Sequence, residues 1–167
     1  QHGTGYMHII FDEKTDKMSW QPLSIFDVMV ENRNSFDDVQ WCMIRSYMKR
    51  YEAEKMMEAA GLSPDVTLVE YDDAAGVKRK GVECFRLYIK PDSLAGDDGL
   101  YATIIGDAVC ESKVFPYTFD EVDGKKKSIL PVFPWVCRST RDTTLGSTWA
   151  LDCVPIQASI SRLLSTN

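Results

Sequence analysis

Two β-favouring runs, residues 100–105 and 108–114, are separated only by Gly106-Asp107. A connection of two residues, glycine plus a polar partner, suits a tight hairpin, so these runs are expected to pair as antiparallel neighbours. Other segments read the same way. A run at 6–11 follows Gly3-Thr4-Gly5, and the polar stretch 12–17 turns it toward a second strand at 18–21. Strand-like runs also lie at 66–71 and 82–90. Residues 39–47 alternate, which predicts a half-buried strand with Val39, Trp41, Met43 and Tyr47 on one face and Gln40 and Ser46 on the other. The stretch 129–137 carries Pro131 and Pro134; proline cannot donate to a ladder, so an edge position is expected. Residues 25–30 are apolar and fit either helix or strand.

Only two segments have a helical period. In residues 50–60, Ala53, Met56, Met57 and Ala60 recur at i, i+3, i+4 and i+7, with Glu52 and Glu54 suited to the first turn and Gly61 and Pro64 marking the end. Near the end of the chain, Trp149, Cys153, Ile156, Ile160 and Leu163 form a second stripe, with a kink expected at Pro155. The resulting expectation is an α+β fold: mainly antiparallel sheet with one short packed helix over 1–145, then an amphipathic helix over 146–167 that continues past Asn167. With no initiator Met and an ending inside a helical pattern, the chain reads as an internal piece of a longer protein.

Composition narrows the function. Of 167 residues, 44% are hydrophobic and 26% charged, the profile of a globular chain. A chain of this length can bury roughly 70% of its unfolded surface, so no disulfide or metal staple is required. The net charge of −6 argues against tight phosphate binding, which relies on Lys and Arg. The charge is uneven: residues 61–124 hold 6 basic and 13 acidic side chains, residues 125–167 hold 6 and 2. Such asymmetry suits surfaces with different partners, or contacts between copies of the chain. The five cysteines, Cys42, Cys84, Cys110, Cys137 and Cys153, include no CxxC pair and read as buried free thiols of a reducing compartment. No run reaches the roughly 18 apolar residues of a membrane span.

Most catalytic patterns fail on a single residue. The two histidines are His2, near the terminus, and His8, within a strand; Gly146-Ser147 is followed by Thr148-Trp149 and makes no nucleophile elbow. Gly124-Lys125-Lys126-Lys127-Ser128 resembles a P-loop tail, but Phe119 stands where the first glycine belongs, and Lys125 to Lys127 read as an exposed loop. Phe119 also fails as the first ligand of a calcium loop. Cys and His are not clustered in sequence, so no zinc site or cofactor motif is expected. The pairs Asp37-Asp38, Asp72-Asp73 and Asp97-Asp98 read as turn residues. Trp20, Trp41, Trp135 and Trp149 lack interleaved basic residues and read as core or interface anchors.

One catalytic pattern survives. Pro91-Asp92 followed by Glu111-Ser112-Lys113 fits PD…ExK, in which two carboxylates hold a divalent metal and a lysine orients the attacking water. Glu111 and Lys113 would project from one strand face. A metal-dependent nuclease using Asp92, Glu111 and Lys113 is therefore one reading. A stand-alone protein-interaction module is another.

A third reading comes from motif order. Gly3-Thr4-Gly5-Tyr6-Met7-His8-Ile9-Ile10-Phe11-Asp12 is followed by Leu23-Ser24-Ile25-Phe26-Asp27-Val28-Met29-Val30. Then come Phe36-Asp37-Asp38-Val39-Gln40-Trp41-Cys42-Met43-Ile44-Arg45 and Tyr51-Glu52-Ala53-Glu54-Lys55-Met56. Last, Leu145-Gly146-Ser147 leads through Leu151 to Pro155-Ile156-Gln157, Ile160, Ser161 and Ser165. This series resembles the portal, or head-to-tail connector, proteins of tailed bacteriophages, particularly the podovirus-like group. The family often has Asn where this chain has Ser161. The resemblance covers nearly the whole chain, and it implies the wing and stem-proximal part of a non-enzymatic subunit without cofactor or metal. It further implies a dodecameric ring at a capsid vertex of the virion, assembled in the host cytoplasm. Double-stranded DNA would pass through it non-specifically, and its partners would be the terminase, scaffolding and capsid proteins and the head-to-tail adaptor.

Overall fold

A computed structural model of the chain describes residues 4–12, 15, 17–33, 35–73, 76–91, 96–120 and 126–136. Among these residues eleven strands and one α-helix follow in order. The first half carries β1 (Thr4–Asp12), β2 (Lys17–Leu23), β3 (Val28–Val30), β4 (Trp41–Met48), α1 (Arg50–Ala59) and β5 (Leu68–Asp72). The second carries β6 (Lys78–Ile89), β7 (Leu100–Ile105), β8 (Ala108–Lys113), β9 (Thr118–Asp120), β10 (Lys126–Ser128) and β11 (Val132–Val136). All pairings are antiparallel, so the fold is α+β and mainly sheet. No helix among the described residues is long and apolar enough to cross a membrane. The expected helix over 146–167 lies outside the described residues.

The chain divides into two compact units, the first made of residues 1–26, 32–39 and 131–167. Its sheet has the order β11-β1-β2. The β1–β2 hairpin forms where the polar stretch turns the chain, from Tyr6↔Leu23 to Asp12↔Lys17. Both outer strands carry a proline, Pro22 in β2 and Pro134 in β11, as edge strands tolerate. Pro131 stands just before β11, where its carbonyl accepts from the Ile9 N–H at 2.8 Å. One sheet face is internal, with Tyr6, His8 and Val132 buried.

The second unit is residues 27–31 and 40–130. Its main sheet runs β3-β4-β6-β7-β8, with β5 also paired to β6. One face carries Cys42, Ile44, Cys84, Tyr88, Thr103 and Ile105, all buried. The helix covers one end of that face. Its stripe packs as its spacing predicts: Ala53 and Met57 are buried with Val82, Cys84 and Ile105, and Met56 lies against them. Ala60, beyond the helix end, is exposed. At the other end, Tyr88, Tyr101, Tyr117 and Phe115 form a chain of ring contacts with centroids 5.1 to 6.1 Å apart.

Two expectations are corrected. The strand expected over 39–47 begins at Trp41, because Ser35 caps a 3-10 turn over Phe36–Asp38 that Val39 closes. Its buried face is the even-numbered one: Cys42 and Ile44 are buried, while Trp41, Met43 and Tyr47 are half-buried on the reverse. Both faces of this strand are largely apolar, so alternation shows that it is a strand and does not say which side turns inward. Lys126 and Lys127 are exposed, but in β10 and not in a loop; the pairing Lys126↔Asp120 to Ser128↔Thr118 holds them.

Candidate functional site

Two residues of the sequence-derived catalytic pattern, Glu111 and Lys113, stand in β8 at the sheet edge. The Gly106-Asp107 hairpin, with Gly106 at φ +57°, sets Ile105 opposite Ala108 and Ile104 opposite Val109. The register then shifts, placing Glu111 opposite Thr103 and leaving Cys110 as the extra residue of a bulge. Glu111 and Lys113 therefore share a face, and Lys113 Nζ lies 2.6 Å from Glu111 Oε1. The buried Thr103 hydroxyl donates to Glu111 Oε2 at 3.3 Å, and the Tyr101 hydroxyl stands 3.0 Å from Thr103 Oγ1. One carboxylate oxygen is thus matched by an ammonium and the other by a hydroxyl.

Such a network is suited to holding a sheet edge together. Holding a divalent metal would require a second carboxylate beside Glu111 and release of Lys113. No cluster of three or more His, Cys, Asp or Glu side chains able to hold a metal exists among the described residues. Asp92 lies outside them.

The residues singled out by the family resemblance are dispersed. Asp27 accepts from the Arg45 Nε at 3.0 Å, and Glu83 lies 3.7 Å from the same guanidinium. Burial pulls the Arg45 pKa down, but the hydrogen bond and charge of Asp27, with Tyr47 and Glu83, hold it above its usual value. Trp41 opens β4 and is half-buried. Ala53 is in the core, and the Glu52 carboxylate accepts from the Lys49 N–H at 3.2 Å, tying down the start of α1. Phe26 is 73% exposed. Gly5 lies in β1, opposite Trp135. Gly3, Gly146, Ser147, Gln157, Ile160, Ser161 and Ser165 fall outside the described residues.

Several large apolar side chains of the first unit are exposed on one side of its sheet. Register places Trp135 opposite Gly5, Phe133 and Pro22 opposite Met7, and Trp20 opposite Ile9. Alternation puts these residues on the face opposite Tyr6 and His8. Trp135 is 70% exposed, Met18 60%, Trp20 55% and Phe133 39%. The Trp20 and Phe133 rings lie 6.5 Å apart. Two of the four tryptophans therefore point to solvent; the signal in the sequence was the alternation of Met18, Trp20 and Pro22 within a strand.

The sequence matches no protein-family model and no curated protein.

Proposed function

We propose that the chain is a structural subunit of a phage portal ring, a conduit for DNA packaging and ejection that performs no chemistry itself. The observation that carries this reading is the outer face of the first unit's sheet, with Trp20, Phe133 and Trp135 exposed beside Met18. With about 150–250 Å² per large aromatic, these side chains leave on the order of 500 Å² of apolar surface in water, at the upper end of what a monomer carries. That is more than half of the roughly 800 Å² per partner of a stable interface. The occupant of this face is a neighbouring copy. In a ring it meets a different surface of that neighbour, because a face that paired with itself would close a dimer.

Further support comes from the motif order of the resemblance and from an acidic surface, which disfavours DNA sticking as it passes. In this reading terminase, scaffolding and capsid proteins and the tail adaptor dock on the assembled ring at the virion's portal vertex. The nuclease reading gains nothing from Glu111, whose charge Lys113 already matches at 2.6 Å.

Native mass spectrometry and electron microscopy of the complete gene product test the proposal. Closed rings, about twelve subunits in the family resembled, are the expected result; a strictly monomeric product overturns it. Plasmid DNA incubated with magnesium or manganese should stay intact. Cleavage that Glu111→Ala abolishes would restore the nuclease reading.

A further inference from the structure

The sheet of the first unit carries a proline on each outer strand, and its hydrogen-bond phase fixes which way each proline nitrogen points. The Ile9 N–H donates to the Pro131 carbonyl at 2.8 Å, so Ile9 bonds toward the β11 side of β1. Backbone groups of successive residues in an antiparallel strand point alternately to its two neighbours. Met7 therefore bonds toward β11, and Tyr6 toward β2. Pro22 stands opposite Met7 and Pro134 opposite Tyr6. Each proline faces a β1 residue that bonds the other way, so its own nitrogen is turned to the outer edge of the sheet.

There the missing donor costs the sheet nothing and harms a strand added from outside. The same alternation turns the backbone groups of Met18, Trp20 and Pro22 outward on β2, and those of Val132, Pro134 and Val136 on β11. An incoming strand would find one donor of these three absent on either edge, with a pyrrolidine ring in its place. Proline at an edge guards a sheet against pairing with another chain. Among the described residues no strand lies beyond β2 or β11, and β2 is exposed from Lys17 to Pro22.

The outer face is not guarded in this way. From Gly5 and Met7 in β1 to Trp20 in β2 and Phe133 and Trp135 in β11, the residues that register places on it include no ionisable group. A Cβ on Gly5 would meet nothing within 4 Å, which leaves open space beside Trp135. Such a face offers a partner no ion pair, and a charge placed on it would be buried without one.

We propose that neighbouring copies meet this sheet face-on through an apolar patch of their own, and that Pro22 and Pro134 keep its two edges from pairing with another strand. The neighbouring copy rests on the portal reading; what the edges add is how it docks, by side-chain packing instead of by extending the sheet.

Hydrogen exchange of the assembled gene product, resolved to single amides by fragmentation, tests the edge. The outward amides of Met18 and Trp20 should exchange at least about ten-fold faster than the inward amides of Ser19 and Gln21. Equal protection of all four would mean that a strand has been added, and overturns the face-on docking. Native mass spectrometry tests the face. Trp20→Glu should weaken association by about ten-fold or more. Trp20 is 55% exposed, and circular dichroism checks that the fold is kept. Gln21→Glu puts the same charge on the other side of the same exposed strand and should leave association within about two-fold. Equal losses in the two variants would reduce the effect to net charge and overturn the proposal.

Pro22→Thr with Pro134→Thr restores a donor to each edge. Rings of unchanged stoichiometry that now join side by side, with thioflavin T fluorescence rising, are the expected result. A variant as well dispersed as the wild type overturns the role of the prolines. A strictly monomeric wild type defeats the portal reading and the docking mode together, whereas rings indifferent to Trp20→Glu defeat the docking mode alone.

Discussion

Glu111 and Thr103 face each other across β7 and β8, and Thr103, a residue only 2% exposed, donates its hydroxyl to Glu111 Oε2 at 3.3 Å. The Cys110 bulge makes this possible: without the register shift after Ile104, Glu111 would stand one position out of line with Thr103. Thr103→Val keeps the shape of the buried side chain and removes its hydroxyl. It leaves Glu111 Oε2 and the Tyr101 hydroxyl each short of a partner, so a loss of about 1–2 kcal/mol is expected in urea denaturation. Glu111→Gln spares the Thr103 hydrogen bond and breaks an ion pair whose lysine is exposed, and should cost about 1 kcal/mol or less.

Two glycines with positive φ should respond differently to alanine. Gly106 is at φ +57° with open space around a new Cβ, so Gly106→Ala carries only the backbone penalty, about 1–2 kcal/mol. Gly99→Ala adds contacts of 2.6 to 2.9 Å with backbone and Phe115, and should cost about 3 kcal/mol or more. Thermal unfolding of the two variants side by side checks the order.

Trp20 and Trp135 bear on assembly. If their face is covered by a neighbouring copy, Trp20→Ser with Trp135→Ser weakens self-association by about ten-fold or more. The unfolding midpoint of the unassembled chain should scarcely move, because both side chains are more than half exposed. Sedimentation velocity over a concentration series reads the first effect and calorimetry the second. Unchanged association removes this face from the interface.

Glu52 predicts a pH dependence at the start of α1. The Tyr51 hydroxyl at 2.9 Å and the Lys49 N–H at 3.2 Å hold its carboxylate pKa below the ordinary value. A carboxyl with a depressed folded pKa stabilises the fold above its unfolded pKa, about 4.3, and loses that contribution as pH falls through the folded value. The stability difference between the wild type and Glu52→Gln should therefore be constant near pH 6 and shrink as the pH falls below about 4.3. Urea titrations across that range measure it.

The thiols should differ in reactivity. Burial pushes the Cys42 thiol up to about 12 although Lys90 pulls it down, and burial likewise raises Cys84. Cys110, on the bulge, is only half-buried, although its pKa is raised as well. Among the described thiols, Cys110 should react first with iodoacetamide at pH 8, read by peptide mass spectrometry. Cys42 and Cys84 should follow only as the protein unfolds.

Local pattern was enough for the elements whose cause is local. The alternating runs on either side of Gly106-Asp107 make β7 and β8, because a two-residue turn leaves no other pairing within reach. The polar stretch 12–17 makes the β1–β2 hairpin. Ala53, Met56 and Met57 make a helix stripe whatever covers it, and Pro134 cannot sit inside a sheet, so it marks an edge.

What the tertiary structure decided depends on partners distant in the chain. β4 is apolar on both sides, and only its pairing Cys42↔Tyr88 and Ile44↔Arg86, within the sheet that α1 covers, turns the even residues inward. Lys126 and Lys127 look like a loop until β9 pairs with them. Glu111 and Lys113 suggest metal chemistry as letters, but the bulge and Thr103 make them members of a closed polar network. Trp20 and Trp135 have the composition of core residues and stand in water, because burial is set by which sheet face finds a covering layer. Periodicity and turn chemistry are properties of neighbouring residues and can be read along the chain; sidedness, register shifts and charge pairing arise only when separate segments meet.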